Sequence, residues 1–423
     1  MGMRNATRTT KRPSAPERAP RRPAPPPPHH SNPALADALF ATASGDRLTV
    51  VIAPPGSGKT FLITHLAHQL ATRMQLRVAV AAQTREQSYD VANRIARLGV
   101  PTRHLRGRHD HRPRGLDDAV ASLTTRSVDA SPGVTIATSA RWRVTATTQF
   151  RADILLVDEA YQMTYADLIA IGDLADQVAL VGDPGQIAPV VTGETRRWQG
   201  NAAGPHVPAP AALASTHPDS ITSVRMSTTH RLGPQTTDLI SPLYPTLPFT
   251  SARTPSHITL DGTQLPEHRP LPMSTRGDHT DPALATTAAD TARRLLTGTL
   301  TTTDGSRPMK PTDLAVITPH VHQAALVAAN LSDLPGILVA TANAAQGLKR
   351  HAVVALHPLA GNRETPTFAL DLGRLCVTLS RHRSHLTVIT DDRTPDLLRT
   401  AQADATGSQA EALALHRGLL AAL

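Results

Sequence analysis

The most chemically specific stretch of the sequence is 53-APPGSGKT-60, which lies between the apolar run 47-RLTVVIA-53 and the amphipathic run 61-FLITHLAHQLA-71. Small residues after a strand allow successive backbone N–H groups to converge on phosphate oxygens at the start of a helix. The lysine ammonium can reach the β- and γ-phosphates, and the threonine hydroxyl can bind Mg²⁺. We therefore predict a site for ATP and Mg²⁺ at Pro55, Gly56, Ser57, Gly58, Lys59 and Thr60.

Residue usage supports the role of this lysine. The chain has 43 Arg and Lys residues, but only four of them are lysines: Lys11, Lys59, Lys310 and Lys349. A lysine is a compact cation on a flexible stem, whereas an arginine is a planar fork. The choice of lysine at position 59 therefore favours a phosphate-binding loop over a chance Gly-Ser turn.

Two further segments carry polar residues at the ends of apolar runs. In 153-DILLVDEA-160, Asp158 would hold Mg²⁺ through water and Glu159 would orient or deprotonate an attacking water. Asp-Glu pairs also begin solvated helices, but the apolar run just before this pair favours the catalytic interpretation. In 182-GDPGQIAPV-190, the amide of Gln186 could contact both the γ-phosphate and a neighbouring surface, and the alternative is an ordinary turn.

The elements that must position these residues are short apolar runs separated by stretches long enough for helices. This rhythm predicts βαβ units and parallel sheets, and hence an α/β fold. We expect two RecA-like sheets of about five strands each, in domains 34–224 and 225–423, and a helix at 282–296. The predicted strands are 48–53, 76–82, 133–138, 153–158, 177–182, 256–260, 313–318, 336–341, 351–356 and 385–390.

The first 33 residues differ from the rest in composition. They hold nine prolines and seven Arg or Lys against one acid, Glu17, out of a net charge of +9 for the chain. We predict a disordered basic tail. It would bind phosphates nonspecifically, contact protein partners, or only keep the chain in solution.

Bulk composition excludes some classes. No apolar run reaches the roughly 18 residues of a membrane helix, and the N-terminus lacks the apolar centre of a secretion signal. The single cysteine, Cys376, lies in an apolar run and is predicted to be a core residue in a reducing compartment. These features predict a cytoplasmic protein that has no membrane partner.

The order of the motifs resembles that of superfamily 1 helicases, over roughly residues 45–390. APPGSGKT, VDEA and GDPGQIAPV are followed by four segments similar to the later motifs: 229-THRLGPQTTDLI-240, 316-VITPHVHQAAL-326, 341-TANAAQGLKR-350 and 374-RLCVTLSRHRSHLTVI-389. The pattern is most similar to the branch of the nonsense-decay and viral helicases, whose members usually move 5′ to 3′. The resemblance implies two tandem RecA-like domains with ATP and Mg²⁺ between them.

The resemblance also implies roles for individual residues. Arg231 and Arg381 would contact the γ-phosphate from the second domain, with Arg383 as the neighbour that could replace Arg381. Gln346 and Gly347 match the "QG" pair and would contribute to nucleotide binding. Single-stranded nucleic acid, DNA more than RNA, would cross both domains; the residues implied are Thr84, Thr138, Trp142, Pro189, His320 and Thr341.

Several alternatives concern this nucleic-acid path. Trp142 could stack on a base, or it could be a half-buried core tryptophan; Trp198, beside two arginines, presents the same choice. The segment 103-RHLRGRHDHRPRG-115 is expected to be a loop that contacts phosphate or is simply solvated.

The chain also departs from the family. No glutamine precedes Gln69, Lys349 replaces the usual Glu after "QG", and we expect no sizeable insertion in either domain. These departures favour a second function class, a nucleotide-driven switch or remodeller in a DNA-maintenance or defence assembly that does not separate strands.

Overall fold

The computed structural model describes residues 32–128, 130–145 and 147–423. The predicted tail therefore lies outside the described residues, except for Asn32 and Pro33. Asn32 caps the first helix, which begins at Pro33, by accepting a hydrogen bond from the Leu35 N–H. The helices are α1 Pro33–Ala43, α2 Lys59–Thr72, α3 Arg85–Ala96, α4 Ser139–Arg143, α5 Tyr165–Gly172, α6 Ala209–Thr216, α7 Pro234–Ile240, α8 Pro282–Leu296, α9 Val321–Asn330, α10 Leu372–Leu379, α11 Thr394–Ala403 and α12 Gly407–Ala422.

The strands run along the whole described chain. They are β1 Leu48–Ile52, β2 Arg77–Ala82, β3 Thr102–Leu105, β4 Val120–Leu123, β5 Gly133–Thr138, β6 Ala152–Val157, β7 Ala175–Gly182, β8 Thr222–Arg225, β9 Thr228–Thr229, β10 Thr250–Ser251, β11 His257–Leu260, β12 Thr263–Gln264, β13 His268–Met273, β14 Thr299–Thr302, β15 Gly305–Pro308, β16 Leu314–Thr318, β17 Leu338–Thr341, β18 Arg350–Leu356 and β19 His382–Asp391.

The first half of the chain forms an eight-stranded sheet in the order β4-β3-β5-β2-β6-β7-β1-β8, in which all neighbours are parallel. The inner strands are apolar runs because helices cover both faces, which is the usual arrangement for a parallel sheet. One core lies under α1, α2 and α3, and the other lies under α4, α5 and α6. The α/β prediction is confirmed, but this sheet is larger than the five strands expected.

The second half forms a five-stranded parallel sheet in the order β13-β19-β18-β16-β17. Its helix α8 has the bounds predicted from the sequence, and Asp281 caps it by accepting from the Ala283 N–H. The predicted strand at 256–260 is present, but it belongs to a separate antiparallel sheet, β12-β11-β14-β15. That small sheet is an additional element of the second half that the poor patterning of residues 261–310 did not predict.

The expectation of a loop at 103–115 is wrong for its first three residues, which belong to β3. The four side chains of β3 are buried, and the His104 ring lies 3.0 Å from the Ser88 hydroxyl. Burial lowers the pKa of His104 to about 4, so this histidine is neutral at physiological pH. The polar residues of this segment obscured a strand whose side chains are buried in the core.

Among the described residues, no helix combines the length and apolar character that crossing a membrane would require.

Candidate nucleotide and nucleic-acid site

The phosphate-binding loop connects β1 to α2, and its conformation depends on glycine. Gly56 and Gly58 have φ angles of 77° and 95°, which L-residues with side chains rarely adopt. Lys59 begins α2 and is 8% exposed. The Ser57 hydroxyl is buried without a hydrogen-bond partner, so the loop contains a donor that a phosphate oxygen could satisfy.

The acids that face Lys59 come from the ends of two neighbouring strands. The Lys59 Nζ lies 3.7 Å from the Glu159 Oε1 and 3.7 Å from the Asp183 Oδ2. Glu159 has a φ of 50°, a left-handed conformation that is strained for a non-glycine residue and is typical of functional sites. The strand ends therefore hold two carboxylates against one lysine.

Asp158 lies at the same strand end as Glu159 and is buried. Its Oδ1 accepts a hydrogen bond from the Glu159 N–H at 2.9 Å. Burial, followed by the adjacent charge of Glu159, raises the pKa of Asp158 to about 7, while the charge of Lys59 opposes this shift. A divalent cation would favour the ionised carboxylate, so Asp158 and the hydroxyl of Thr60 fit the predicted metal role in their chemistry.

Asp183 is a site residue that we did not predict. It is 1% exposed and accepts hydrogen bonds from the Gly185 N–H at 3.0 Å, the Gln186 Nε2 at 2.6 Å and the Tyr244 hydroxyl at 2.8 Å. Its position directly after β7 repeats that of Asp158 after β6, and this parallel was the available signal. No sequence pattern indicates Tyr244 as a site residue, because it reaches Asp183 only through the folding of a distant segment.

Gln186 lies between the two halves of the chain. Its Nε2 donates to Asp183, and its Oε1 lies 3.4 Å from the Nε2 of Gln346. A Cβ on Gly373, at the start of α10, would lie 2.7 Å from the Gln186 carbonyl oxygen. The predicted contact of Gln186 with a neighbouring surface thus has a counterpart in the structure, where that surface is the second half.

The second half also packs directly on the phosphate-binding loop. The His230 N–H donates to the Gly56 carbonyl at 2.9 Å, and the Thr229 hydroxyl donates to the Pro55 carbonyl at 2.7 Å. A Cβ on Gly56 would lie 2.4 Å from the Cβ of Arg231. The glycine is therefore needed for this close approach as well as for its φ angle.

Arg231 and Arg381 lie in a cluster of like charges. Burial, followed by the charge of Arg381, lowers the pKa of Arg231 to about 9. Arg381 is 2% exposed; its Nη2 donates to the Ser380 hydroxyl at 2.8 Å, and its Nε has no hydrogen-bond partner. Arg383 and Lys349 add further positive charge to the surroundings. Buried cations in this arrangement favour the binding of an anion such as a polyphosphate.

The residues predicted to contact nucleic acid lie where parallel strands end. Thr84 follows β2 and Thr138 ends β5, and each caps the next helix through its hydroxyl. Thr341 ends β17, and His320 lies just beyond β16. Pro189 is half-buried in the loop after β7. In the first half, Thr138 lines a cavity of about 580 Å³ together with Arg85, Arg106 and Arg141.

The predicted contact of Trp142 with nucleic acid is wrong. It is 0% exposed, its indole N–H donates to the Val80 carbonyl at 2.9 Å, and its ring packs against Phe150. The ring is unavailable to a base, so the alternative of a core tryptophan holds. Trp198 is half-buried, with the Arg197 guanidinium 5.3 Å from its ring centroid.

Comparison with protein-family models matches residues 35–208 to an AAA domain. The matched segment holds APPGSGKT, VDEA and GDPGQ, and the first half of the chain is accordingly a P-loop nucleoside-triphosphatase domain. This supports the prediction made from those motifs. No curated protein matches the chain.

Solved structures similar to the chain include three viral helicase structures. An arterivirus nonstructural protein 10 (helicase) in complex with DNA has a TM-score of 0.47 and 16% identity, covering 90% of this chain and 65% of that one. The arterivirus protein without DNA has a TM-score of 0.45 and 18% identity, covering 84% and 61%. The PRRSV helicase has a TM-score of 0.43 and 14% identity, covering 85% and 54%. The chain thus spans less than two thirds of the length of these proteins.

Proposed function

We propose that the protein is an ATP-dependent helicase or single-strand translocase, built from domains 34–224 and 225–423. ATP would be hydrolysed between the two parallel sheets, and single-stranded nucleic acid, DNA rather than RNA, would cross their carboxyl edges. The observation that carries the proposal is the packing of Arg231, from the second half, on Gly56 of the phosphate-binding loop in the first, with the charge of Arg381 close to Arg231.

Nucleotide binding would use the loop and its unsatisfied donors. The Ser57 hydroxyl, the Lys59 ammonium and the Arg381 Nε are the groups that a triphosphate would satisfy. Mg²⁺, held by Thr60 and Asp158, would neutralise charge on the phosphate oxygens during phosphoryl transfer. Glu159, whose carboxylate lies 3.7 Å from the Lys59 ammonium, would orient the attacking water and accept its proton.

Hydrolysis would depend on the approach of the two halves. Arg231 and Arg381 belong to the second half, so their contribution to the transition state requires a closed cleft. Gln186 and Gln346 meet across that cleft. Their contact would change with the phosphates that are bound and so couple the nucleotide to the second sheet. Closing and reopening of the cleft would then move the nucleic-acid-binding surfaces of the two domains relative to each other along the strand.

The nucleic-acid path is supported by the polar and basic character of the carboxyl edges. Capping threonines and arginines line the first edge, and His320 and Thr341 lie at the second. Contacts of this kind grip the sugar-phosphate backbone and give little sequence preference.

The decisive experiment is steady-state ATP hydrolysis with Mg²⁺, with and without single-stranded DNA or RNA oligomers. We expect strong stimulation by one polymer and loss of the activity in Lys59→Ala. Lys310→Ala is the matched control, because this lysine is exposed and lies outside the phosphate-binding loop.

The outcome separates the two function classes. Activity that Lys59→Ala abolishes but neither polymer changes would contradict the motor and favour the nucleotide-driven switch. Activity that survives in Lys59→Ala would contradict both. Displacement of a strand from a tailed duplex would then distinguish a helicase from a translocase.

A further inference from the structure

A cluster of rings lies at the carboxyl edge of the second sheet, away from the phosphate-binding loop. His320 stacks on Phe368 with ring centroids 5.3 Å apart and an interplanar angle of 21°. His279 lies 4.7 Å from His320, and His322 lies 5.4 Å from it. Three loops therefore bring four rings to one place.

These rings border an open cavity of about 480 Å³, which is lined by His279, His320, Asn362, Arg363, Pro366 and Phe368, among other residues. Phe368 is 40% exposed, although a phenyl ring of this size is usually buried. Its exposed part is an apolar surface at the mouth of the cavity, beside the stacked His320 ring and the Arg374 guanidinium. Such a surface suits a planar heterocycle with a charged or polar attachment.

The loops that carry the rings are fixed to the sheet and to each other. The Gln323 Nε2 donates to the His279 carbonyl at 2.8 Å, and its Oε1 accepts from the His320 N–H at 3.2 Å. The Arg363 Nε donates to the Gly277 carbonyl at 2.9 Å. The Asp391 carboxylate accepts from the Gly361 N–H at 3.1 Å and from the Thr275 hydroxyl. The cavity is thus preorganised, and a ligand need not order it.

The cavity is continuous with the predicted nucleic-acid path. The Arg374 guanidinium lies 4.2 Å from the Phe368 ring centroid, and its Nε donates to the Asn343 Oδ1 at 3.2 Å. Asn343 lies between Thr341 and Gln346, in the loop after β17. Arg374 therefore connects the ring cluster to the loop after β17, which the proposed function places in contact with the single-stranded nucleic acid.

Charges of both signs border the cavity. Arg363 lines it together with Asp278 and Glu364, whereas the Arg374 guanidinium lies on the Phe368 ring and pairs with the Asp371 carboxylate at 3.2 Å. Arg363 is thus the lining cation that could meet a phosphate beside a stacked base. Burial and the neighbouring His279 and His322 lower the pKa of His320 to about 4, so its ring is neutral at physiological pH. A neutral imidazole in contact with Phe368 offers a stacking surface, not an additional charge.

We propose that His279, His320 and Phe368 form a pocket that binds one unpaired base of a single-stranded nucleic acid, with Arg363 contacting its phosphate. This inference rests on the proposed function and deepens it, because it adds a stacked base to a path otherwise made of backbone contacts. The pocket would hold one nucleotide at a fixed place on the second domain.

The test is equilibrium binding of the full chain to a fluorescent dT20 strand, measured by anisotropy over a range of salt concentrations. Base stacking on an aromatic ring predicts that Phe368→Ala raises Kd by about 5- to 100-fold. The slope of log K against log[salt] should stay the same, because no phosphate contact is removed. Phe368→Tyr should keep the affinity of the wild type.

Phe40→Ala is the matched control. Phe40 is 75% exposed in α1, so its removal deletes an exposed phenyl ring outside the pocket and should leave Kd unchanged. Thermal unfolding of each variant establishes that the fold persists. Phe368→Leu, which keeps an apolar side chain without the ring, should weaken binding as Phe368→Ala does.

A second arm uses dT20 with a single abasic site moved along the strand. At one position the missing base should weaken wild-type binding, and the same position should have no further effect on Phe368→Ala. Wild-type affinity in Phe368→Ala, or an abasic effect of equal size in both proteins, would overturn the pocket but leave the proposed function standing. Failure of the wild type to bind either dT20 or U20 RNA would overturn both.

Discussion

The two sides of the cleft differ in how their charges are satisfied. The first edge is the carboxyl edge of the first sheet, and the second edge is the amino edge of the second sheet, where Arg381 directly precedes β19. At the first edge, Lys59 has two carboxylate neighbours, and Asp183 accepts three hydrogen bonds. At the second edge, the Nε of the buried Arg381 has no partner, and Arg231 lies beside it. The first edge is internally paired, whereas the second is an excess of positive charge that faces the first. An anion between the two is the simplest way to satisfy both.

The largest effect that would test this comparison comes from the arginines. Arg381→Ala and Arg231→Ala should each lower kcat for ATP hydrolysis by about 10³- to 10⁵-fold, because an arginine at the γ-phosphate stabilises charge in the transition state. Arg381→Lys should recover little, since lysine lacks the planar fork. Arg399→Ala is the control: Arg399 is an exposed arginine that pairs with Asp396 on α11. Steady-state kinetics and nucleotide binding, measured together, separate kcat from affinity.

Intact hydrolysis in both Arg231→Ala and Arg381→Ala would break the comparison. Loss of activity only in Arg383→Ala would assign the role to the neighbour that the sequence left as an alternative. Thermal unfolding must accompany these assays, because Arg381 is buried and its removal leaves space in the core.

The edges also show what the sequence could predict. Lys59, Asp158 and Glu159 were predictable because each depends on a local rule: a glycine-rich turn before a helix, or acids directly after an apolar strand. The α8 helix was predictable because its period and its cap lie within one segment. In such places local sequence and fold agree.

Other features depend on contacts between distant segments. The sequence left Trp142 as either a base-stacking residue or a half-buried core tryptophan, whereas in the structure its ring packs against Phe150 and its N–H donates to a strand carbonyl. His104 reads as part of a basic loop, yet it is buried in β3. Tyr244 contacts Asp183 because the segment after α7 lies against the loop that follows β7, at Asp183 and Gly185. No local pattern encodes these contacts, so the sequence alone could not supply them.

The next effect concerns acid stability, to which both halves contribute: His104 in the first half, and a larger group of buried histidines in the second. Burial is the main cause that lowers the pKa of four histidines in the second half: to about 3 for His357, to about 4 for His385 and His416, and well below the ordinary value for His382. These groups bind protons in the unfolded state at 6.5 but not in the folded state. Stability is therefore fully present above pH 6.5 and falls as the pH drops toward the folded values.

The measurement is urea unfolding between pH 8 and pH 5. His357 alone should account for about 2 kcal/mol of unfolding free energy lost between pH 6.5 and pH 5, at about 1.4 kcal/mol per pH unit. His357→Gln keeps an acceptor for the Leu359 N–H, which lies 3.2 Å from the Nδ1, and should lose correspondingly less on acidification. The exposed His109→Gln is the control. Identical pH profiles for wild type and His357→Gln would contradict a neutral buried histidine.

The smallest effect tests a hydrogen bond that the second half donates to the acidic cluster of Asp158, Glu159 and Asp183. The Tyr244 hydroxyl donates to the Asp183 Oδ1 at 2.8 Å and lies 3.2 Å from the Cys376 Sγ. Burial and the charge of Asp183 raise the pKa of Tyr244 far above its usual value, so the hydroxyl keeps its proton and remains a donor. Burial likewise raises the pKa of the Cys376 thiol to about 12.

Tyr244→Phe should lower the unfolding free energy by about 1–3 kcal/mol, because a buried carboxylate loses one donor. It should lower kcat by less than tenfold, since Gly185 and Gln186 still hold Asp183 beside Lys59. Tyr89→Phe is the control, because the Tyr89 hydroxyl has no hydrogen-bond partner in the described part of the chain. Urea unfolding and ATP hydrolysis measure the two effects. A Tyr244→Phe protein equal to the wild type in both would mean that the acidic cluster of the first edge is complete without the second half, leaving the arginines as the only electrostatic link between the edges.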